Sequence, residues 1–414
     1  MVSKVKTIGF KNYKSFSGSH KLELENLTLL YGYNNSGKSA LIRLIKLIAD
    51  SASPSINKYY LKSVFNYESE ATRGGTYENL VSYGKLNISI SVDWGDSYFD
   101  ANIQQEGFED EFISRLTLCE RGHISSYTKS IGGDRKLESV ENPGEFIDYN
   151  QFNFEKHDHV NNLLDEFSRS VHWISPTRKQ PPREFDIGLG SKLKVHHDGE
   201  GVAEMLWYLS ESKSQSFVEI NDWLKASCGR VLYTDYSTVI KSSRGKKRVT
   251  LVTVPDGDSD SAQSLKVPVV DSGEGIAQVL PIVTLCAMAA NGELGESPVL
   301  VIEQPELHLH PKATVELAKF IVHCVSKNVS ATILIETHSE SFMRAIQIAM
   351  IDSDFAHSKV SAYWVSKDIN KSKLNKITFD KQAFMSGEMP HNLFRENIDF
   401  ARELSVKRRG INAN

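Results

Sequence analysis

The chain opens with short apolar stretches separated by polar spacers: VKTIGFKNY, then KLELEN, then LTLLYGY, with SFSGSH between the first two. This alternation predicts strands. LTLLYG is apolar on both faces, as a strand in the middle of a sheet must be. The glycine-rich GYNNSG follows, and then SALIRLIKLIAD, in which Leu41, Ile42, Leu44, Ile45, Leu47 and Ile48 describe a buried helix. Strand, glycine loop and helix therefore follow one another within residues 1–50.

From about residue 51 to 165 the pattern changes to polar segments with broken alternation, such as NISISVDW and YFDANIQQ, and residues 130–150 read as loops. We place this stretch as an inserted α+β lobe between two parts of one domain, residues 1–50 and 166–414. The second part begins with helical patterns at VNNLLDEFSRSV, GEGVAEMLWYLSE and FVEINDWLKAS, and continues with strand patterns at VLYTDYSTVIKSS, KRVTLVTVP and SLKVPVV. DSGEG then opens a long apolar helix. Strand PVLVIE, helix KATVELAKFIVHCVSK and strand ATILIETH alternate after it, as in a doubly wound α/β sheet. The sequence shows no internal repeat and no heptad stretch of coiled-coil length.

Gly32-Tyr33-Asn34-Asn35-Ser36-Gly37-Lys38-Ser39 fits GxxxxGK[ST]. In such a loop the glycines let backbone N–H groups close around phosphate oxygens, the lysine neutralises β/γ charge, and the serine hydroxyl meets Mg²⁺ at a helix N-terminus. The candidate phosphate contacts are Gly32, Asn34, Asn35, Ser36, Gly37, Lys38, Ser39 and Ala40. A phosphate loop needs a partner acid for the Mg²⁺ shell, and VLVIE offers Glu303 at a strand's carboxyl end, where open α/β sheets bind ligands. The candidate metal residues are therefore Ser39 and Glu303.

The rest of that segment, Glu303-Gln304-Pro305-Glu306-Leu307-His308-Leu309-His310-Pro311, admits a second reading, because strand alternation would point His308 and His310 to one face as a zinc pair. No third ligand follows at a sensible spacing, and Pro311 marks a turn into the next helix. Ser272, Gly273 and Gly275 stand at the start of the long helix, whose N-terminus offers unpaired N–H groups and a positive dipole end, or else is an ordinary capped helix start. Since Lys38 already serves phosphate in the same chain, a second phosphate-facing helix makes best sense across a dimer. His338 ends the next strand, where it would contact a γ-phosphate or be structural.

Composition narrows the class. The 414 residues are 40% hydrophobic and 24% charged with a net charge of −4, which argues for a globular chain and against one that coats nucleic acid through overall basicity. The four cysteines are dispersed and no signal or membrane-spanning run is present, so we expect a cytoplasmic protein without structural zinc. Two basic clusters, Arg244, Lys246, Lys247 and Arg248 in one turn and Lys407, Arg408 and Arg409 near the end, are candidate contacts to a phosphodiester backbone or simply exposed turns. Arg178 and Arg183 lie in a proline-rich loop where contacting phosphate and bracing the loop are equally open.

Phosphate loop, DSGEG, IEQPELHLHP and ETHSE occur in the order seen in ABC-type ATPase heads, the class that includes structural-maintenance-of-chromosomes proteins, recombination ATPases and overcoming-lysogenisation-defect (OLD) proteins. The sequence most resembles the short bacterial AAA-annotated ATPases related to OLD proteins, many of them found in anti-phage systems. FKNYKSF, YENLVSYGK, WISPTRKQPPREF and GEGIAQVLPIV also look like that family, so the resemblance spans nearly the whole chain. It implies a P-loop head with a mixed sheet, N-terminal antiparallel strands and an inserted lobe. It implies ATP·Mg²⁺ on Lys38 and Ser39, with Glu303 as the Mg²⁺-shell acid and His338 as the switch histidine. Ser272 and Gly273 would act as the signature on the opposite subunit.

The resemblance also implies a general base at the position after the acid, and there the chain has Gln304. A glutamine amide can orient a water but cannot usefully accept its proton. Either Glu306 is the base, or hydrolysis is slow and the ATP-bound dimer long-lived; the second is our preferred expectation. OLD nucleases carry a Toprim domain after the ATPase, and the roughly 75 residues after His338 are too few for one. Asp352-Ser353-Asp354 reads as a helix-end turn. The expected role is an ATP-dependent sensor or scaffold, self-associating and controlling a separately encoded effector such as a nuclease, with no membrane partner. A recombination ATPase clamping DNA directly and a non-hydrolysing scaffold are the competing expectations.

Overall fold

The structure, a computed structural model, describes residues 4–52, 63–107, 110–130, 135–187, 193–236, 247–257, 265–352, 357–390 and 402–407. Strands β1 (Thr7–Tyr13) and β2 (Phe16–Glu23) form an antiparallel hairpin, and β3 (Leu27–Tyr31) leads through the glycine loop into α1 (Lys38–Ala52). After the short α2 (Tyr77–Leu80) come β4 (Asn87–Asp93), β5 (Tyr98–Glu106), β6 (Asp110–Glu120), β7 (His123–Lys129), β8 (Lys136–Ser139), β9 (Phe146–Asn150) and β10 (Asn153–Phe154). β4 pairs with β1, so these strands and the N-terminal hairpin make one nine-stranded sheet in the order β10-β9-β8-β7-β6-β5-β4-β1-β2. Its strands alternate cleanly: β4 buries Ile88, Ile90 and Val92 and turns the residues between them outward, as an antiparallel sheet with one covered face does.

Helix α3 (Asp158–Ser170) then leads into β11 (Val171–Ile174) and β12 (Phe185–Ile187). Helices α4 (Val202–Glu211) and α5 (Gln215–Cys228) precede β13 (Arg230–Asp235), β14 (Lys247–Pro255) and β15 (Val267–Pro268), which with β12 form a small antiparallel sheet. The last stretch carries α6 (Glu274–Ala290), β16 (Val299–Glu303), α7 (Pro311–Lys327), β17 (Thr332–Thr337), α8 (Glu340–Asp352), β18 (Val360–Asp368), β19 (Lys371–Phe379) and β20 (Met385–Gly387). The seven-stranded sheet runs β11-β16-β17-β3-β18-β19-β20, with its first five strands parallel and its last two antiparallel. The fold is therefore α/β with a mixed sheet and an antiparallel sheet, as the sequence predicts.

Period-two alternation divides the central strands between two cores. Leu29, Leu300, Ile302, Ile333 and Ile335 join α4 to α8 on one face, whereas Leu30, Val299, Val301 and Leu334 join α1, α3 and the nine-stranded sheet on the other. Covering on both faces explains why β3, β16 and β17 read as continuous apolar runs. The carboxyl ends of these three parallel strands lie side by side, which brings residues 31, 303 and 336 to one edge. Among the described residues, no helix is long and apolar enough to cross a membrane.

Candidate nucleotide site

The phosphate loop is fixed from three sides. Gly32 has φ +154° and a Cβ there would lie 2.3 Å from the Val365 carbonyl oxygen, while Gly37 has φ +109° and would meet the Phe16 ring at 2.8 Å. Only glycine fits either position. Ser372 on β19 donates its hydroxyl to the Ser36 carbonyl (2.6 Å) and shares a hydroxyl–hydroxyl bond with Ser15 Oγ (2.7 Å), joining the loop to the β1–β2 turn. Asn34 and Asn35 are exposed at the tip, and Tyr33 stands edge-on to Trp364. The resulting cleft, of about 380 Å³, is lined by Asn34, Asn35, Ser36, Gly37, Lys38, Ser39 and Ala40 on the loop side. Gln304, Glu336 and His338 line it from the strand ends, and Lys14, Ser15 and Lys367 complete it.

Lys38 is buried, and its ammonium donates to the carbonyls of Gly32 (2.9 Å) and Tyr33 (2.7 Å) and to Ser36 Oγ (3.5 Å). Burial lowers its pKa to about 8, against the opposing pull of Glu336 and Glu306. Burial, with Lys38 beside it, also holds the His338 imidazole below its ordinary value.

The acids at the strand ends are arranged differently from the expectation. Glu303 is 1% exposed, and its carboxylate accepts from Arg43 Nε (3.2 Å), Arg43 Nη2 (2.8 Å) and Trp173 Nε1 (3.0 Å). The carboxylate against the Ser39 hydroxyl is that of Glu336, at 2.9 Å. Burial pushes the Glu336 carboxyl above the usual range, the Ser39 bond opposes this, and Glu303 adds to it. Glu306 Oε1 accepts from Thr337 Oγ1 (2.7 Å) and from the backbone N–H of His338 (3.0 Å), tying the β16 loop to the β17 loop. One oxygen of Glu306 and one of Glu336, both buried, have no protein partner. This donor set fits a divalent cation beside Ser39: a hydroxyl and hard carboxylate oxygens, one of them on Glu336 buried without a hydrogen-bond partner.

Gln304 has a left-handed backbone (φ +46°), donates its N–H to the Glu336 carbonyl (2.8 Å), and half-buries its side chain on the cleft wall. Arg178 braces this corner rather than facing phosphate, because its Nη2 donates to the carbonyls of both Glu303 (2.7 Å) and Gln304 (2.8 Å). Burial lowers its pKa to about 10, which leaves it charged at neutral pH. Arg183 makes a two-pronged bond to Asp271 (2.7 and 2.8 Å), just before the tip of α6.

Ser272, Gly273 and Gly275 do not line this cleft. Gly273 is exposed at the N-terminus of α6 with φ +95°, and Gly275 lets the helix start approach the His308 carbonyl, 2.7 Å from where a Cβ would be. The Ser272 hydroxyl is engaged within the chain by Thr253 Oγ1 (2.9 Å) and the Pro268 carbonyl (3.1 Å). His310 caps α7, accepting from the Lys312 N–H (3.3 Å), and His308 lies 3.9 Å from Glu274, so the two imidazoles serve different neighbours. Of the basic turn, Arg244 and Lys246 and the side chain of Lys247 lie outside the described residues. Arg248 is paired with Glu184 and Asp186, both at 3.5 Å. Lys407 pairs with Glu403 at 2.8 Å, while Arg408, Arg409, Ser353 and Asp354 are also outside the described residues.

The sequence profile of the family described as "AAA domain, putative AbiEii toxin, Type IV TA system" matches residues 27–344, a span running from the phosphate-loop strand past His338. The chain belongs to this AAA-domain family. Solved structures similar to this AAA-domain chain include an Smc head bound to the C-terminal winged-helix domain of ScpA, with 11% identity, 91% of this chain and 98% of that chain covered, and a TM-score of 0.46. An Smc head with an extended coiled coil from Pyrococcus furiosus, bound to the C-terminal domain of ScpA, gives 10%, 91%, 96% and 0.47. The head domain of the Thermotoga maritima SMC protein gives 12%, 90%, 98% and 0.38. No curated protein matches the chain.

Sequence reasoning missed five contributors to the site of this AAA-domain protein: Lys14, Ser15, Arg43, Glu336 and Lys367. A signal existed for two of them. Glu336 follows an apolar run as Glu303 does, and Arg43 is the one charged residue among the apolar positions 40–45 that follow the phosphate loop. Lys14 and Ser15 arrive from the β1–β2 turn and Lys367 from the end of β18, placements that local pattern does not give.

Proposed function

We propose that this chain is an ATP-binding, slowly hydrolysing ABC-type ATPase whose two copies close around ATP, acting as the sensor or scaffold for a separately encoded effector in antiviral defence. The observation that carries the reading is that a lined phosphate-loop cleft and the exposed N-terminus of a long helix stand apart on one chain. Lys38 and its loop form a lined cleft, and the exposed tip of the 17-residue α6 lies outside that cleft. An exposed helix N-terminus without a side-chain cap is available to a partner's phosphate. Bound ATP·Mg²⁺ would supply the electrophilic phosphorus and a charge-neutralising cation. Lys38 and the loop N–H groups would hold the phosphates, Ser39 would face the cation, and Gln304 would orient a water without taking its proton. Slow turnover suits a molecule whose signal is the closed dimer itself.

Light scattering on the full chain tests the dimer. Saturating ATP and Mg²⁺ are expected to double the mass of the wild type. Gly273→Arg, which adds bulk at the α6 tip, should stay monomeric while keeping its monomer ATP affinity within about 3-fold, since the substitution lies outside the cleft. A wild type that stays monomeric at saturating ATP would sink the reading.

A second expectation follows from Lys38. A triphosphate favours the charged ammonium, so binding raises its pKa from about 8 and takes up a proton just above that pH. Affinity is therefore expected to be level below pH 8 and to fall above it, by at most about tenfold per pH unit. Calorimetry in two buffers of different ionisation enthalpy reads the uptake directly, and it should vanish in Lys38→Met.

A further inference from the structure

Strand β16 ends on Glu303, and its register partner Glu336 lies one residue before the end of β17; the two are 1% and 2% exposed. A buried carboxylate needs a compensating charge. Glu303 has one, since Arg43 forks onto both of its oxygens and Trp173 adds a third donor, and it does not line the cleft. Glu336 has no such clamp: the nearest basic group is the His338 Nε2, 3.8 Å from Oε1 and charged only when protonated, and Lys38 and Arg43 act on it without a hydrogen bond. One of its oxygens takes the Ser39 hydroxyl and the other is buried without a protein partner. The nearby Lys38 directs its ammonium to Gly32, Tyr33 and Ser36. Ser39 is the hydroxyl that a P-loop offers to a nucleotide-bound cation, and Glu336 is the acid in contact with it.

We propose that Glu336, on the strand next to the phosphate-loop strand, is the carboxylate that faces the nucleotide-bound divalent cation together with Ser39. Glu303, clamped by Arg43 and Trp173, is a positioning residue that holds the end of β16 and does not touch the cation. This inference rests on the reading that the chain binds ATP with Mg²⁺, and it reassigns the acid within that site. It follows from topology: β17 lies between β16 and β3, so Glu336 near its carboxyl end meets Ser39 in the first turn of α1, whereas Glu303 meets Arg43.

The test measures metal binding rather than turnover. Mn²⁺ replaces Mg²⁺, and free Mn²⁺ is followed by electron paramagnetic resonance over full-length protein saturated with ATP. ATP affinity is measured separately in EDTA. Glu336→Gln is expected to bind ATP in EDTA within about 3-fold of wild type and to lose about 10- to 100-fold in Mn²⁺ affinity. The double variant Arg43→Met/Glu303→Met, which removes the buried pair without leaving a lone charge, should keep Mn²⁺ affinity within about 3-fold. Unchanged Mn²⁺ affinity in Glu336→Gln, or a 10-fold loss confined to the double variant, would overturn the assignment. Absence of ATP binding by the wild type in EDTA and in Mn²⁺ alike would overturn the underlying nucleotide reading as well, and so is distinguishable from failure of the acid assignment alone.

Discussion

Replacing Gln304 by glutamate is expected to raise ATP turnover by about 10²-fold or more, measured as phosphate release at saturating ATP·Mg²⁺. The side chain already lies on the cleft wall, and its backbone is fixed by the N–H bond to the Glu336 carbonyl and by Arg178 on its own carbonyl. The substitution exchanges an amide for a carboxylate of the same shape, so geometry is kept and a proton acceptor is added. A positioned general base contributes about 10²- to 10⁴-fold. Glu306→Gln is the matching control and should change turnover by less than about 3-fold. Its Oε1 is committed to Thr337 and the His338 N–H, and an amide oxygen can accept both. If Glu306→Gln instead falls to background, Glu306 is the base and the slow-hydrolysis reading of Gln304 is wrong.

The second large effect concerns stability. Arg43→Ala is expected to destabilise the fold by about 3–5 kcal/mol, read as a shift in the urea midpoint at unchanged slope. Arg43 is the ionic partner of Glu303 at 2.8 Å, and the two side chains are only 11% and 1% exposed. Without it, two register-paired carboxylates face each other in a buried corner, and the raised pKa of Glu336 would rise further. Since protonation relieves that repulsion, the deficit should shrink as pH falls into the carboxylate range. The double variant with both partners replaced by methionine should recover most of the loss. A single Arg43→Ala variant within about 1 kcal/mol of wild type would show that the clamp does not hold this corner.

The legible parts of the molecule are those whose physics is local. The buried strand 27–31, the glycine loop and the apolar helix after it could be read directly, because each has its own period and its own turn chemistry. The apolar runs that end in Glu303 and Thr337 were visible for the same reason. Which acid meets Ser39 was not, because that depends on β17 standing between β16 and β3, a neighbour relation that neither strand encodes by itself. The 51–165 stretch reads as broken alternation with loops over 130–150, whereas it carries β4 to β10. Strands β8 and β9 lie inside the span read as loops, because strand pairing rather than local pattern holds them. That β4 continues the sheet of β1 is decided by a contact across about 80 residues of chain. Arg178 illustrates the same limit: its charge near the site was evident, but its engagement with two main-chain carbonyls could be seen only once β11 lay beside β16.

The serine ladder of Ser372, Ser15 and Ser36 has a mechanical consequence. Ser15 sits in the turn of the hairpin that begins the nine-stranded sheet, and Ser372 fastens that turn to the rim of the phosphate loop. Eight hydrogen-bonded spacings of about 4.8 Å separate the two outermost strands, so measured across its strands this sheet extends roughly 38 Å from the edge beside the loop. Force applied at β10 would pass along the ladders of backbone bonds to the β1–β2 hairpin and from there to the phosphate loop through the serine hydroxyls.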